Sequence, residues 1–266
     1  MSWADGPLAL FDTETTCPDP LTARLVTATV GVGRPGRAVT VTEWLADPGV
    51  DIRQGATDVH GITTAYARVH GRPAAEVIEE VAAELGLAWS LGLPVVGYNV
   101  GYDLTLIAAE SKRHGLAAFT CIGPVVDGRV LDQHVDRYRK GKRTLTDVCA
   151  HYQVQLDGAH DATADATAAG RVVWRIAQRY PEIGRMPLDE LHAAQARWHA
   201  EHQHRFAEYL CNRIGGQVQR EAEEADCRGY HELAEQKHAE VADLVARAGE
   251  IDATADQWPI RTGGAL

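Results

Sequence analysis

Three short patterns place acidic side chains where they can act together. Asp12-Thr13-Glu14 closes the apolar run Leu8-Ala9-Leu10-Phe11, which reads as a strand. Residues two apart on a strand point to the same face, so both carboxylates can join one cluster. Asn99-x3-Asp103 lies where a strand around Val95-Val96 passes into a helix, and His160-x4-Asp165 opens a long helix that runs to about Tyr180. Acids at the buried end of an apolar strand are costly unless cations compensate them. Asp103 and Asp165 fall at helix starts that follow the sheet, the edge at which open α/β sheets place their ligands. Four converging carboxylates offer hard oxygen ligands, which suit Mg2+ or Mn2+ rather than zinc. Spacing by itself is a weak signal: with 12 His and 19 Asp in 266 residues, His-x4-Asp arises about once by chance. A second copy at His238 and Asp243 sits in a Glu- and Ala-rich helical stretch and reads as a solvated helix face.

The surrounding elements decide whether such acids can converge. Apolar runs at Leu8-Phe11, Leu25-Val32 and Val39-Leu45, broken by Gly and Pro, read as three strands joined by short turns. A loop follows. Pro73 to Leu91 has helical spacing, and Pro94 to Tyr98 reads as a buried strand. Then come a helix from about Tyr102 to His114, a strand near Val125 to Leu131, and helices near Leu145-Tyr152 and Asp161-Tyr180. A hairpin followed by alternating strands and helices gives an α/β fold, a mixed sheet flanked by helices. Gly31-Val32-Gly33-Arg34-Pro35-Gly36 matches the dinucleotide-binding pattern, but that loop must open a helix. Here Arg37 to Thr42 alternates as a strand, so a hairpin turn is expected instead.

With these elements in place, the motifs carry a resemblance. The chain resembles the DnaQ-like (DEDDh) exonuclease superfamily, especially the proofreading epsilon subunits of bacterial DNA polymerase III, over about residues 7 to 180. The segments concerned are Leu10 to Thr16, Val96 to Asp103 and Ala159 to Ala166, with Ala56 to Thr63 and Gly141 to Leu145 between them. Cys17 departs from the family, which usually has Gly there. The resemblance implies a ribonuclease-H-like fold and 3'-to-5' exonuclease activity on DNA, releasing nucleoside monophosphates in proofreading or repair with two Mg2+ or Mn2+ ions. It implies that Asp12 bridges both ions, that Glu14 and Asp165 complete the nucleophile-side ion, and that Asp103 acts mainly through water. His160 is then the general base, since an imidazole with a pKa near ~6.5 suits proton transfer at neutral pH. Phe11, Thr13, Thr15, His60 and Asn99 are the substrate-binding candidates. Phe11 reads equally as core, and Asn99 equally as a helix cap. Arg139, Lys140, Lys142 and Arg143 read either as a contact for the incoming strand or as solvated surface.

Charge sets limits on partners. The chain has a net charge of -11, which weighs against a nucleic-acid partner because phosphate binding usually leaves a basic footprint. Residues 1 to 186 carry 18 basic against 22 acidic side chains, while residues 187 to 266 carry 8 against 15. The first part is an expected exonuclease domain (1-186), balanced once four acids hold metal. The second is an expected C-terminal helical extension (187-266), which either packs on the catalytic core or contacts a polymerase, another protein or a second copy. Two amphipathic helices are expected in it, the second after Gly215-Gly216. Single-stranded DNA or frayed 3' ends are the expected substrate. The alternatives are an exoribonuclease acting on RNA and a non-catalytic binding module that keeps the fold. Five scattered cysteines without a Cys-x-x-Cys pair, no membrane-length apolar run and no leader pattern point to an unprocessed cytoplasmic protein.

Overall fold

Leu8 to Phe11 are all buried and begin β1 (Leu8–Thr15), the strand on which the sheet is built. β1 pairs antiparallel with β2 (Leu25–Gly33), in a register running from Leu8 opposite Gly33 to Thr15 opposite Leu25, irregular at Glu14 and Thr15. β2 turns through Arg34 to Gly36 into β3 (Thr40–Asp47), so the glycine-rich stretch is a hairpin turn, as the alternation after it required. The computed structural model describes residues 2–156 and 162–262.

The segment between β3 and residue 73, which reads as a loop, instead contains two short helices, α1 (Gln54–His60) and α2 (Thr64–His70). Their ends are fixed by local chemistry. Gly61 closes α1 with a φ of 76°, a left-handed turn open to glycine, and the Thr63 hydroxyl accepts from the Tyr66 amide to cap α2. The two-residue β4 (Arg72–Pro73) pairs parallel with β3 at the sheet edge, where a proline costs no ladder bond. α3 (Ala74–Ser90) then buries Val77, Ile78, Val81 and Leu85 on one face.

β5 (Val95–Gly97) lies parallel to β1, with Ala9 opposite Val95 and Leu10 opposite Val96. A Cβ at Gly97 would sit 2.7 Å from the Phe11 carbonyl oxygen and 2.8 Å from Val100 Cβ, so only glycine permits this approach. After α4 (Val100–Arg113) comes β6 (Val125–Asp127), and the sheet order is β4-β3-β2-β1-β5-β6. β6 is shorter than the expected Val125–Leu131 strand. The Asp127 carboxylate accepts from the amides of Arg129 and Val130 and starts α5 (Gly128–Val135) instead.

α6 (Leu145–Tyr152) opens on a reciprocal capping box between Thr144 and Asp147. α7 (Ala162–Arg179) packs along β1, β2 and β5; a Cβ on its Gly170 would meet Leu10 Cδ2 at 2.6 Å. Leu8, Leu10, Asp12 and Glu14 therefore share the α7 side of the sheet, while Ala9, Phe11 and Thr13 face the other way. The result is a mixed six-stranded sheet flanked by helices, a ribonuclease-H-like fold with C-terminal helices.

α8 (Pro181–Gly184) leads into α9 (Leu188–Tyr209). Buried Gln195 on α9 completes the sheet edge: its Nε2 donates to the Val125 carbonyl at 2.9 Å and its Oε1 accepts from the Asp127 amide at 2.7 Å. His192 Nδ1 accepts from the Val125 amide at 3.1 Å. The chain divides into two units, Met1–Gln195 with Pro259–Leu266, and Ala196–Trp258. In the second unit a wide π-type turn (Leu210–Gly215) runs straight into α10 (Gly216–Cys227), and α11 (His231–Ala253) follows. The expected break at Gly215-Gly216 is absent. The chain reverses one helix later, at Gly229 with a φ of 75°. Ala207, Leu210 and Ala248 form this unit's small core with Phe206, Leu244 and Ile251. No described helix is long and apolar enough to cross a membrane.

Candidate active site

Asp12 and Glu14 project from the C-terminal half of β1 on the α7 side, and Asp165 lies in the first turn of α7. One carboxylate oxygen from each of the three lies within 4.8 Å of the others. Such a group repels itself. The Asp12 carboxyl is held well above the usual carboxylate range, first by burial and then by the charges of Asp103, Glu14 and Asp165. Three oxygen ligands that resist sharing negative charge fit hard divalent cations such as Mg2+ or Mn2+.

Asp103 reaches the site from the opposite side of the sheet. It stands in the first turn of α4 and is 5% exposed, and its Oδ1 accepts a 2.5 Å hydrogen bond from the Thr13 hydroxyl. Thr13 lies between Asp12 and Glu14 in sequence but faces the other way, so one tripeptide supplies two carboxylates to the cluster and a donor that orients the fourth acid. Burial pushes the Asp103 carboxyl up to about 8, partly offset by the Thr13 bond, with Asp127 and Glu14 raising it further. Asp103 thus stands beside the three-acid cluster and is not part of it. His160 lies outside the described residues.

The other substrate-binding candidates have distinct surroundings. Phe11 is fully buried. Thr15 Oγ1 donates to the Cys17 carbonyl at 3.0 Å and is 2.8 Å from the Tyr102 hydroxyl, which itself donates to the same carbonyl at 2.8 Å. The turn at Cys17 is therefore tied to α4. His60 is half-buried at the end of α1, its Nδ1 accepting from the Ile62 amide at 3.1 Å. Asn99 occupies the cap position of α4 in the left-handed region (φ 67°), yet its side chain makes no cap bond; Oδ1 accepts from Arg129 at 3.2 Å.

Asp127, which the sequence reading passed over, fixes this neighbourhood. It is 2% exposed, and its carboxylate accepts from the amides of Asn99 (2.9 Å) and Gly101 (3.5 Å) as well as those that start α5. It therefore sets the turn that aims Asp103. Burial raises its carboxyl pKa. An acid ending an apolar strand ahead of a helix was the available signal, hidden by extending that strand to Leu131.

The basic cluster ahead of α6 also separates into two kinds of residue. Arg139 Nη2 binds both oxygens of fully buried Asp132, at 2.7 and 2.6 Å, and Arg143 Nη1 binds Asp132 Oδ2 at 2.6 Å. These two arginines hold the loop together. Lys140 and Lys142 remain exposed.

Residues 10–173 match the RNase_T family, described as exonuclease. Among curated proteins, the DNA polymerase III PolC-type protein of Streptococcus mutans is 27% identical over 175 residues, 65% of this chain and 11% of that protein. The PolC-type protein of Caldanaerobacter subterraneus is 25% identical over 190 residues, 71% of this chain and 13% of that one. The chain thus spans only a small part of the relatives it matches. Among solved structures, E. coli Exonuclease I in complex with a dT13 oligonucleotide superposes with a TM-score of 0.55 at 18% identity, covering 66% of this chain and 42% of that one. Exonuclease I from Methylocaldum szegediense gives 0.55 at 19%, covering 66% and 41%. At these identities the likeness is one of fold.

Proposed function

The chain belongs to the RNase_T exonuclease family, within the DnaQ-like superfamily, and from that premise we propose that it is a metal-dependent 3'-to-5' exonuclease acting on single-stranded or frayed DNA ends. The observation that carries this reading is the approach of Asp12, Glu14 and Asp165 carboxylate oxygens to within 4.8 Å of one another. Two divalent cations held there would supply Lewis-acid stabilisation and an activated water for in-line attack on the last phosphodiester. Asp12, whose carboxyl feels the charges of Asp103, Glu14 and Asp165, would serve both ions. Glu14 and Asp165 flank it. Asp103, oriented by the Thr13 hydroxyl, holds water around the site. His160, five residues before Asp165, is the proposed base that takes the proton from the attacking water.

The test is degradation of matched 5'-labelled DNA and RNA strands with Mg2+, with Mn2+ and with chelator. The expected result is a ladder shortening from the 3' end on DNA, mononucleotide products, and no cleavage in chelator. Faster loss of the RNA strand would reassign the enzyme as an exoribonuclease. Internal fragments, or full activity in chelator, would refute the proposal.

A further inference from the structure

A cavity of about 580 Å³ opens between the turn that joins β2 to β3 and the face of α7 that runs from Thr163 to Trp174. Leu8 and Leu10 line it from β1, Trp174 and Arg171 from α7, and Arg34 and Arg37 from the turn. Leu10 shares a sheet face with Asp12 and Glu14, so the cavity lies on the same side of the sheet as the carboxylate cluster. None of the three acids of that cluster lines it, nor does Asp103 or any other Asp or Glu among the described residues, although the lining Thr163 hydroxyl donates to the Glu43 carboxylate.

Three guanidinium groups around one cavity, with no lining carboxylate, are unusual in a chain of net charge -11. An anion is the charge complement of such a lining. Arg171 Nη1 donates to the Gln155 carbonyl at 3.3 Å, a neutral partner, and no ion pair among the described residues involves Arg34, Arg37 or Arg171. A ligand with two or more negative charges can engage more than one of the three guanidinium groups at once. Guanidinium forks bind phosphate oxygens in pairs, a geometry that an ammonium group cannot offer. Beneath them the half-buried Trp174 indole offers an apolar face against which a planar ring can lie, with buried Leu8 and Leu10 closing the floor. The volume falls within the range of about 300–1,000 Å³ typical of small-molecule sites.

We propose that this cavity is a second nucleotide site, taking a base against Trp174 and its phosphates against Arg34, Arg37 and Arg171. The same chemistry is offered by a free nucleoside diphosphate and by the 5'-phosphorylated end of a strand. None of the proposed hydrolytic residues among the described ones lines the site, and it stands whether or not that reading holds.

Calorimetry on the full chain in chelator, with ADP as probe, tests it. One saturable site is expected in the wild type and equally in Asp12→Ala, because hydrolysis is not involved. Arg37→Ala and Arg171→Ala, both exposed positions whose loss should leave the melting curve unchanged, should each weaken ADP by about tenfold or more, the usual scale for a charge-assisted bond. Inorganic pyrophosphate should bind more weakly than ADP, since it has no ring. Competition by a 5'-phosphorylated dT oligonucleotide would assign the site to strand ends, and lack of competition to free nucleotides. No saturable binding of ADP or oligonucleotide, or ADP binding unchanged in both arginine variants, would overturn the proposal. So would displacement of ADP by polyglutamate at equal charge, which would reduce the cavity to a counter-ion patch.

Discussion

The carboxyls of Asp12 and Asp103 are both held above the usual carboxylate range, chiefly by burial, and this has a measurable consequence. Asp103 is pushed from 3.8 up to about 8, first by burial, and Asp12 moves in the same direction. For an acid whose folded pKa is raised, the folded state binds more protons than the unfolded one between the two values. The stabilisation is complete below the unfolded pKa and is lost as pH rises through the folded one. In chelator, Tm should therefore fall as pH rises from about 4 to about 8, and Asp103→Asn should flatten that slope in a series of thermal melts. A flat wild-type profile would show that the acids ionise freely. Replacing Asp12 or Asp165 by Ala removes a ligand from a self-repelling group, so nuclease activity should vanish while the metal-free Tm holds or rises. His160→Ala should lower turnover by roughly 10²-fold at pH 7 while metal and DNA affinity are kept. The carboxylates were legible in the sequence because spacing of two on a strand fixes a shared face. The Thr13 bond to Asp103 was not, because it joins residues ninety apart across the sheet.

At the scale of elements, the site depends on how closely β5 approaches β1. Gly97 makes that approach possible, and a methyl group there would meet main-chain atoms of Phe11 that cannot rotate away. Gly97→Ala should thus cost about 1–3 kcal/mol of stability, the range for overpacking, and displace the turn that carries Asp103. Denaturant melts should show the first effect and a fall in turnover larger than any rise in KM the second. Unchanged values for both would mean that the sheet adjusts freely. The long strands and helices were readable from periodicity, since each buries a continuous face. α1 and α2 were missed because neither offers a long apolar stripe, and their boundaries rest on Gly61 and the Thr63 cap. The end of β6 was misplaced because Val130 and Leu131 continue the apolar pattern while Asp127 changes the backbone direction.

For the whole molecule, the acidic extension is the part least determined by sequence, and Gln195 decides where it can be cut. The expected boundary at residue 186 falls before His192 and Gln195, whose side chains bond Val125 and Asp127 at the open edge of β6. A chain ending at 186 would leave those buried main-chain groups without partners, at roughly 1–3 kcal/mol each. It would also remove Arg261, whose amide donates to Thr105 Oγ1 at 2.9 Å and whose guanidinium bonds Asp19 at 2.6 Å. That shortened chain should melt at lower temperature, and Gln195→Ala in the full chain should reproduce part of the loss. A cleaner variant replaces residues 196–258 with a flexible Gly/Ser linker, keeping Gln195 and Arg261. Residues 187 to 266 carry 15 acids against 8 bases, a balance that repels phosphate and suits a basic protein surface. The linker variant should therefore keep metal-dependent cleavage of short single strands and lose self-association or partner binding in sedimentation. If it instead loses affinity for DNA with its oligomeric state unchanged, the helical arm grips substrate and the protein-contact assignment fails.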